Sequence, residues 1–87
     1  MLFALGNLYA QQGRWSDAQQ VYFRAVGAAP DNPDYVYNLA IGLDRLNQGK
    51  LALGYYQRAL ALAQDKAVGF DRNALRKRMH ELSIATH

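Results

Sequence analysis

The chain repeats itself at a fixed offset of thirty-four positions. Leu5 recurs as Leu39, Ala18 as Ala52, Tyr22 as Tyr56, Arg24 as Arg58, Ala25 as Ala59 and Ala29 as Ala63. Gly6 returns as Ala40, Tyr9 as Leu43 and Val26 as Leu60, so size class or apolar character is kept. A period of this length marks a stack of helix pairs, in which each unit covers its neighbour's apolar face. The expected fold class is therefore all-α, and the expected object is a scaffold that holds another polypeptide.

Helical spacing and breaker residues divide the chain into five helices. The first runs from about Leu2 to Gln12, with Leu5, Leu8 and Tyr9 on one stripe, and Gly13 ends it in a left-handed turn. The second runs from about Trp15 to Ala28 with a face of Ala18, Val21, Tyr22, Ala25 and Val26. Pro30-Asp31-Asn32-Pro33 is the clearest break: Asn32 suits a cap and Pro33 a first turn. The third helix runs from about Pro33 to Leu46 on Val36, Leu39, Ala40 and Leu43. The fourth runs from about Lys50 to Gln64, with Leu51, Ala52, Tyr55, Tyr56, Ala59, Leu60 and Ala63 inward. A linker over Asp65 to Gly69 precedes a fifth helix, capped by Asp71 and reaching about Ala85. Phe70 and Leu75 are spaced as a hydrophobic staple. The expected organisation is one domain over 1–87: repeat one at 1–32, repeat two at 33–66 and a capping helix at 70–85.

A chain of 87 residues that is 51% hydrophobic and has no cysteine is a small packed domain without a disulfide framework. The absence of thiols does not choose a compartment. No apolar run is long enough to span a membrane, and no signal peptide is legible at the start. The abrupt helical beginning reads as a piece of something longer, with Met1 an added start residue. The net charge of +3 is uneven: residues 45–87 carry eight Lys or Arg against three acids, whereas residues 1–44 carry two against four.

The run Leu5-Gly6-x-x-Tyr9, Gly13-x-Trp15-x-x-Ala18, Tyr22-x-x-Ala25 and Pro30 resembles the tetratricopeptide repeat. Leu39-Ala40-x-x-Leu43 with Ala52-x-x-x-Tyr56-x-x-Ala59 looks like a looser copy. The second unit departs in its turns: Asn47 replaces the turn glycine, Gly49 falls two residues later, and Gln64 replaces the terminal proline. The resemblance implies an α-α superhelix of two antiparallel hairpins plus a C-terminal capping helix, right-handed in its stacking. Small residues fit the helix contacts: Gly6 would face Ala18, and Ala40 would face Ala52. Tyr9, Trp15, Tyr22 and Tyr56 would fill the core. The stretch Leu46 to Leu53 with Gly69-Phe70-Asp71-Arg72 is also similar to repeat proteins of bacterial type IV, mannose-sensitive haemagglutinin-like, pilus biogenesis.

In the tetratricopeptide family the first helix of each unit lines a concave groove that binds a peptide. Carried over, the groove would comprise Phe3, Asn7, Ala10 and Gln11, then Tyr37, Asn38, Ile41, Asp44 and Arg45. Some members clamp a C-terminal carboxylate through two Asn and several basic residues. Asn7, Asn38 and Arg72 match three of those five places, while Phe3 and Val68 stand where lysines are needed. A general peptide groove and a carboxylate clamp both remain open at this point. A structural, self-associating module is the third possibility, because Leu2, Phe3 and Leu5 present an apolar face through which residues 1–12 would pair two copies or meet an adjacent repeat.

Other chemistries lack their residues. Arg76-Lys77-Arg78 spreads around about 200° of a helix and reads as a solvated face, not a nucleic-acid patch. His80 and His87 lack metal-ligand spacing. Ser83 lies one turn from His80 without an orienting acid or oxyanion loop, and no phosphate loop is present. The expectation is a non-catalytic module without cofactor, metal, nucleic acid or membrane insertion.

Overall fold

The structure, a computed structural model, describes residues 2–85, with side chains from residue 3 onward. Met1, the Leu2 side chain and His87, each given a role above, lie outside the described residues. Five helices follow one another: α1 (Leu2–Gln11), α2 (Trp15–Ala28), α3 (Pro33–Arg45), α4 (Gly49–Ala63) and α5 (Arg72–Ala85). Among the described residues there is no strand. Each helix packs chiefly on its neighbours in sequence: α1 on α2, α2 on α3, α3 on α4 and α4 on α5. The 19 Å short dimension is two helix diameters, so the stack is two layers thick.

The two units match at the backbone as well as in sequence. Gly13 closes α1 at φ 73°, and Asn47 closes α3 at φ 62° in the same left-handed region. The Arg14 N–H reaches the Tyr9 carbonyl at 2.9 Å, and one period further on the Gln48 N–H reaches the Leu43 carbonyl at 2.9 Å. These bonds satisfy carbonyls that a helix end leaves open. Asn is the non-glycine residue that tolerates this conformation best, so the missing turn glycine leaves the hairpin intact.

α5 is not a third unit in phase. The Asn32 Oδ1 caps α3 by accepting from the N–H groups of Asp34 and Tyr35, at 3.0 and 3.2 Å. The Asp71 Oδ1 caps α5 in the same way, accepting from Asn73 and Ala74 at 2.8 and 3.2 Å. Counting one period from Asn32 lands on Lys66, so the cap arrives five residues late. From Asp71 the α3 pattern is met again: Leu75 falls at the Val36 place and Leu82 at the Leu43 place, and all four are buried.

Tyr22, Tyr56, Leu39, Leu75 and Val36 are the largest fully buried side chains. Several inward expectations are corrected. Leu5 and Leu8 are 38% and 49% exposed, because no helix lies against that side of α1. Leu51 is exposed and Tyr55 half-buried; the α4 stripe that packs is Ala52, Tyr56, Ala59 and Ala63. Tyr9 and Trp15 pack against the core but are only half-buried, and they lie under arginines, Arg14 at 4.5 Å and Arg45 at 5.4 Å from the ring centroids. The space that a Cβ at Gly6 would need is taken by the Tyr22 ring.

Candidate functional site

Two depressions lie along the odd-numbered helices. The first, of about 430 Å³, is lined by Phe3 and Asn7 of α1, by Asn32, Asp34, Tyr35, Tyr37 and Asn38 around the start of α3, and by Gly69 and Phe70. It gathers Phe3, Asn7, Tyr37 and Asn38 from the residues expected to form a groove. The second, of about 510 Å³, holds Ile41, Asp44 and Arg45 together with Asn47, Tyr56 and Arg78. Gln11 is exposed and lines neither, and Ala10 is half-buried against the core.

Aromatic pairs build the walls of the first depression. Phe3 stacks on Tyr35 with centroids 4.8 Å apart, and Tyr37 stacks on Phe70 at 4.4 Å. Phe3 also leans on the buried Tyr22, and Tyr37 on the buried Tyr56. The Tyr22 Oη donates to the Asn7 Oδ1 at 2.6 Å, leaving the Asn7 amide N–H groups without a partner among the described residues. The Asn38 Nδ2 donates to the Asp34 carbonyl at 2.7 Å, leaving its Oδ1 as an acceptor. Burial raises the Tyr37 hydroxyl above its ordinary value, and the nearby Asp71 carboxylate raises it further.

Phe70 reaches this site because of the five extra linker residues. The Gly69 N–H donates to the Asp34 Oδ1 at 2.9 Å, which pins the linker across the start of α3. Phe70, expected as the staple partner of Leu75, stacks on Tyr37 and packs against the core that holds Leu75. Tyr35, Asp34 and Phe70 were not in the expected site. A signal existed: the two partners of each stacked pair stand almost one period apart in the sequence.

Arg72 does not join Asn7 and Asn38, which corrects the clamp. Its place one full period after Asn38 presumes an unbroken repeat, and the late cap breaks it. The Arg72 Nη2 instead donates to the Ala63 and Gln64 carbonyls, both at 3.1 Å, and to that of Lys66. It thus closes the C-terminal end of α4, where Gln64 departs from helical geometry.

In the second depression Asp44 is already engaged. The Arg78 guanidinium grips it through Nε at 2.7 Å and Nη2 at 2.6 Å, and the Tyr56 Oη donates to it at 3.0 Å. The hydrogen bond from Arg78 is the main cause holding the Asp44 carboxyl below its ordinary value. Burial, and then the Asp44 charge, push the Tyr56 hydroxyl well above its own. Arg45 lies over Trp15. Asp44, Tyr56 and Arg78 thus tie α3, α4 and α5 together in this depression.

Among the described residues no three of His, Cys, Asp and Glu gather as a metal site, and no helix is long and apolar enough to cross a membrane. Stacked helix hairpins with a partly open aromatic face define a helical-repeat scaffold. The sequence pattern of the tetratricopeptide repeat matches residues 2–34 and again residues 36–68, and the chain belongs to that family. Its members are in general protein–protein interaction modules rather than enzymes. No curated protein matches the chain, and the similarity to pilus biogenesis proteins gains no support.

Proposed function

We propose that this chain binds a peptide segment of a partner protein in the first depression, without catalysis. The observation that carries the reading is the meeting of Phe3, Asn7, Tyr37 and Asn38 from two repeats in one open hollow, with the Asn7 amide N–H groups and the Asn38 Oδ1 left uncommitted. Amides spaced along a cleft bond an extended backbone, and ring faces take its side chains. Selection of random displayed peptides on the chain tests this. Enriched peptides should lose about tenfold in affinity, about 1.4 kcal/mol, on Asn38→Ala, and should keep it on Arg24→Ala on the exposed face of α2. Equal affinity for Asn38→Ala and the parent chain would remove the groove reading.

A second reading rests on Leu5 and Leu8. Their counterparts Leu39 and Gly42 are buried, with Gly42 close against the backbone of Gln19 in α2. The same side of α1 therefore offers a surface shaped for a preceding helix. It suits a second copy or an adjacent repeat, so the chain is also read as a self-associating structural module.

A further inference from the structure

The sign of the first depression differs from that of a carboxylate-binding site. No Lys or Arg lines it, and Asp34 does. Arg72, the cation that an unbroken repeat would bring there, is turned onto the end of α4. Asp34 uses its Oδ1 on the Gly69 N–H, and its Oδ2 has no partner among the described residues. Asp71, beside Tyr37, adds a second negative charge. The Asn38 Oδ1 supplies a neutral acceptor in the same hollow.

The rings point the same way. Elsewhere the chain sets its own cations over aromatic faces, Arg14 over Tyr9 and Arg45 over Trp15. Phe3, Tyr35, Tyr37 and Phe70 are half-buried, and none of these four has such a cation over it among the described residues. The face of an aromatic ring is its negative side, so it attracts a cation and repels a carboxylate. Rings, carboxylates and acceptor oxygen thus favour the same charge on a guest.

We infer that the first depression recognises a cationic side chain, Arg or Lys, projecting from the bound peptide. The inference rests on the peptide-binding reading above and specifies its ligand. The guest's charged group lies against the Tyr37–Phe70 and Phe3–Tyr35 walls and pairs with Asp34. Its apolar stem covers the rings, as long basic side chains do. The linker contact makes Phe70 part of the recognition surface, so the five extra residues before α5 add a wall as well as a connection.

The test uses the whole chain and four blocked Gly/Ser heptapeptides carrying Arg, Lys, Leu or Glu at the centre, plus one ending in a free carboxylate. Ring protons of Phe3, Tyr35, Tyr37 and Phe70 and the side-chain amides of Asn7 and Asn38 are followed by NMR. The Arg and Lys peptides should give saturable shifts confined to these groups, about fivefold tighter than Leu or Glu, and should weaken as salt is raised. Asp34→Asn keeps the acceptor for Gly69 and should reduce the preference; Phe70→Leu should reduce it as well, with the helix content unchanged. If either variant fails to fold, the salt dependence of the parent chain still decides the matter. Glu or free-carboxylate binding at the same groups with equal or greater affinity overturns the charge preference and leaves the groove standing. Silence from every peptide removes the groove itself.

Discussion

The two buried tyrosines show how one repeated position is made to work twice. Tyr22 and Tyr56 occupy the same place in successive units and are equally buried, yet their hydroxyls go to different partners. Tyr22 donates to Asn7, whose counterpart in the second unit is Ile41, which accepts nothing. Tyr56 therefore reaches Asp44, whose counterpart in the first unit is Ala10. The first arrangement depends on Gly6, since a Cβ there would sit 2.5 Å from the Tyr22 ring. We expect Gly6→Ala to cost about 1–3 kcal/mol in urea unfolding, because a buried ring cannot swing away freely. The second unit carries Ala40 at the Gly6 place and buries Tyr56 all the same, so the constraint belongs to the first unit. Asn47 gives the opposite case. Its left-handed backbone should accept Asn47→Gly with a change within about 0.5 kcal/mol, whereas Asn47→Ala should lose about 1 kcal/mol. Equal stability of those two variants would show that the turn is not held in that conformation.

At the scale of elements, the hairpins were legible and the capping helix was legible only in part. Apolar spacing and the Pro30–Pro33 break located α1 to α4 because local chemistry dictates caps and turns. Counting by the period failed at Arg72 because five inserted residues shift everything after Lys66, and a period carries no warning of an insertion. Asp71 did carry one, as a cap later than the repeat required. The site was half legible for the same reason: Phe3, Asn7, Tyr37 and Asn38 follow the repeat, whereas Phe70 arrives by the linker. α5 is then tied by Arg78 on Asp44, a contact no local pattern announces. Arg78 is partly exposed, so its loss should be moderate: Arg78→Ala should cost about 1–2 kcal/mol. The Asp44 carboxyl is held below its ordinary value, so its stabilisation is complete above about pH 4, the unfolded value, and disappears as acid carries pH through the lower folded value. Asp44→Asn should flatten the loss of stability below about pH 4, read by thermal unfolding across a pH series. Tyr22, Tyr37 and Tyr56 act at the other end. Their folded values lie above the unfolded one, so stability should fall as pH rises past about 10.

At the scale of the whole molecule, the two sides of the stack are finished differently. α5 covers the α4 side and buries Leu75 and Leu82 in doing so. The α1 side shows Leu5 and Leu8, with Phe23 on α2 also 56% exposed. A repeat stack is stabilised by interfaces between units as well as within them, and a two-unit stack has few. An uncovered helix side of this kind lowers the free energy of any contact that buries it, whether with a like chain or with another repeat. The second reading of function therefore makes a definite claim. Sedimentation equilibrium at NMR concentrations should show reversible dimerisation of the parent chain. Leu5→Lys combined with Leu8→Lys should make it monomeric while leaving it folded, at a cost of about 1 kcal/mol, since both side chains are only partly covered in the single chain. Peptide binding in the first depression should survive the double substitution, because neither residue lines it. A parent chain that remains monomeric would assign this side no role in pairing. A double variant that loses peptide binding as well would mean that pairing of two copies is what completes the groove.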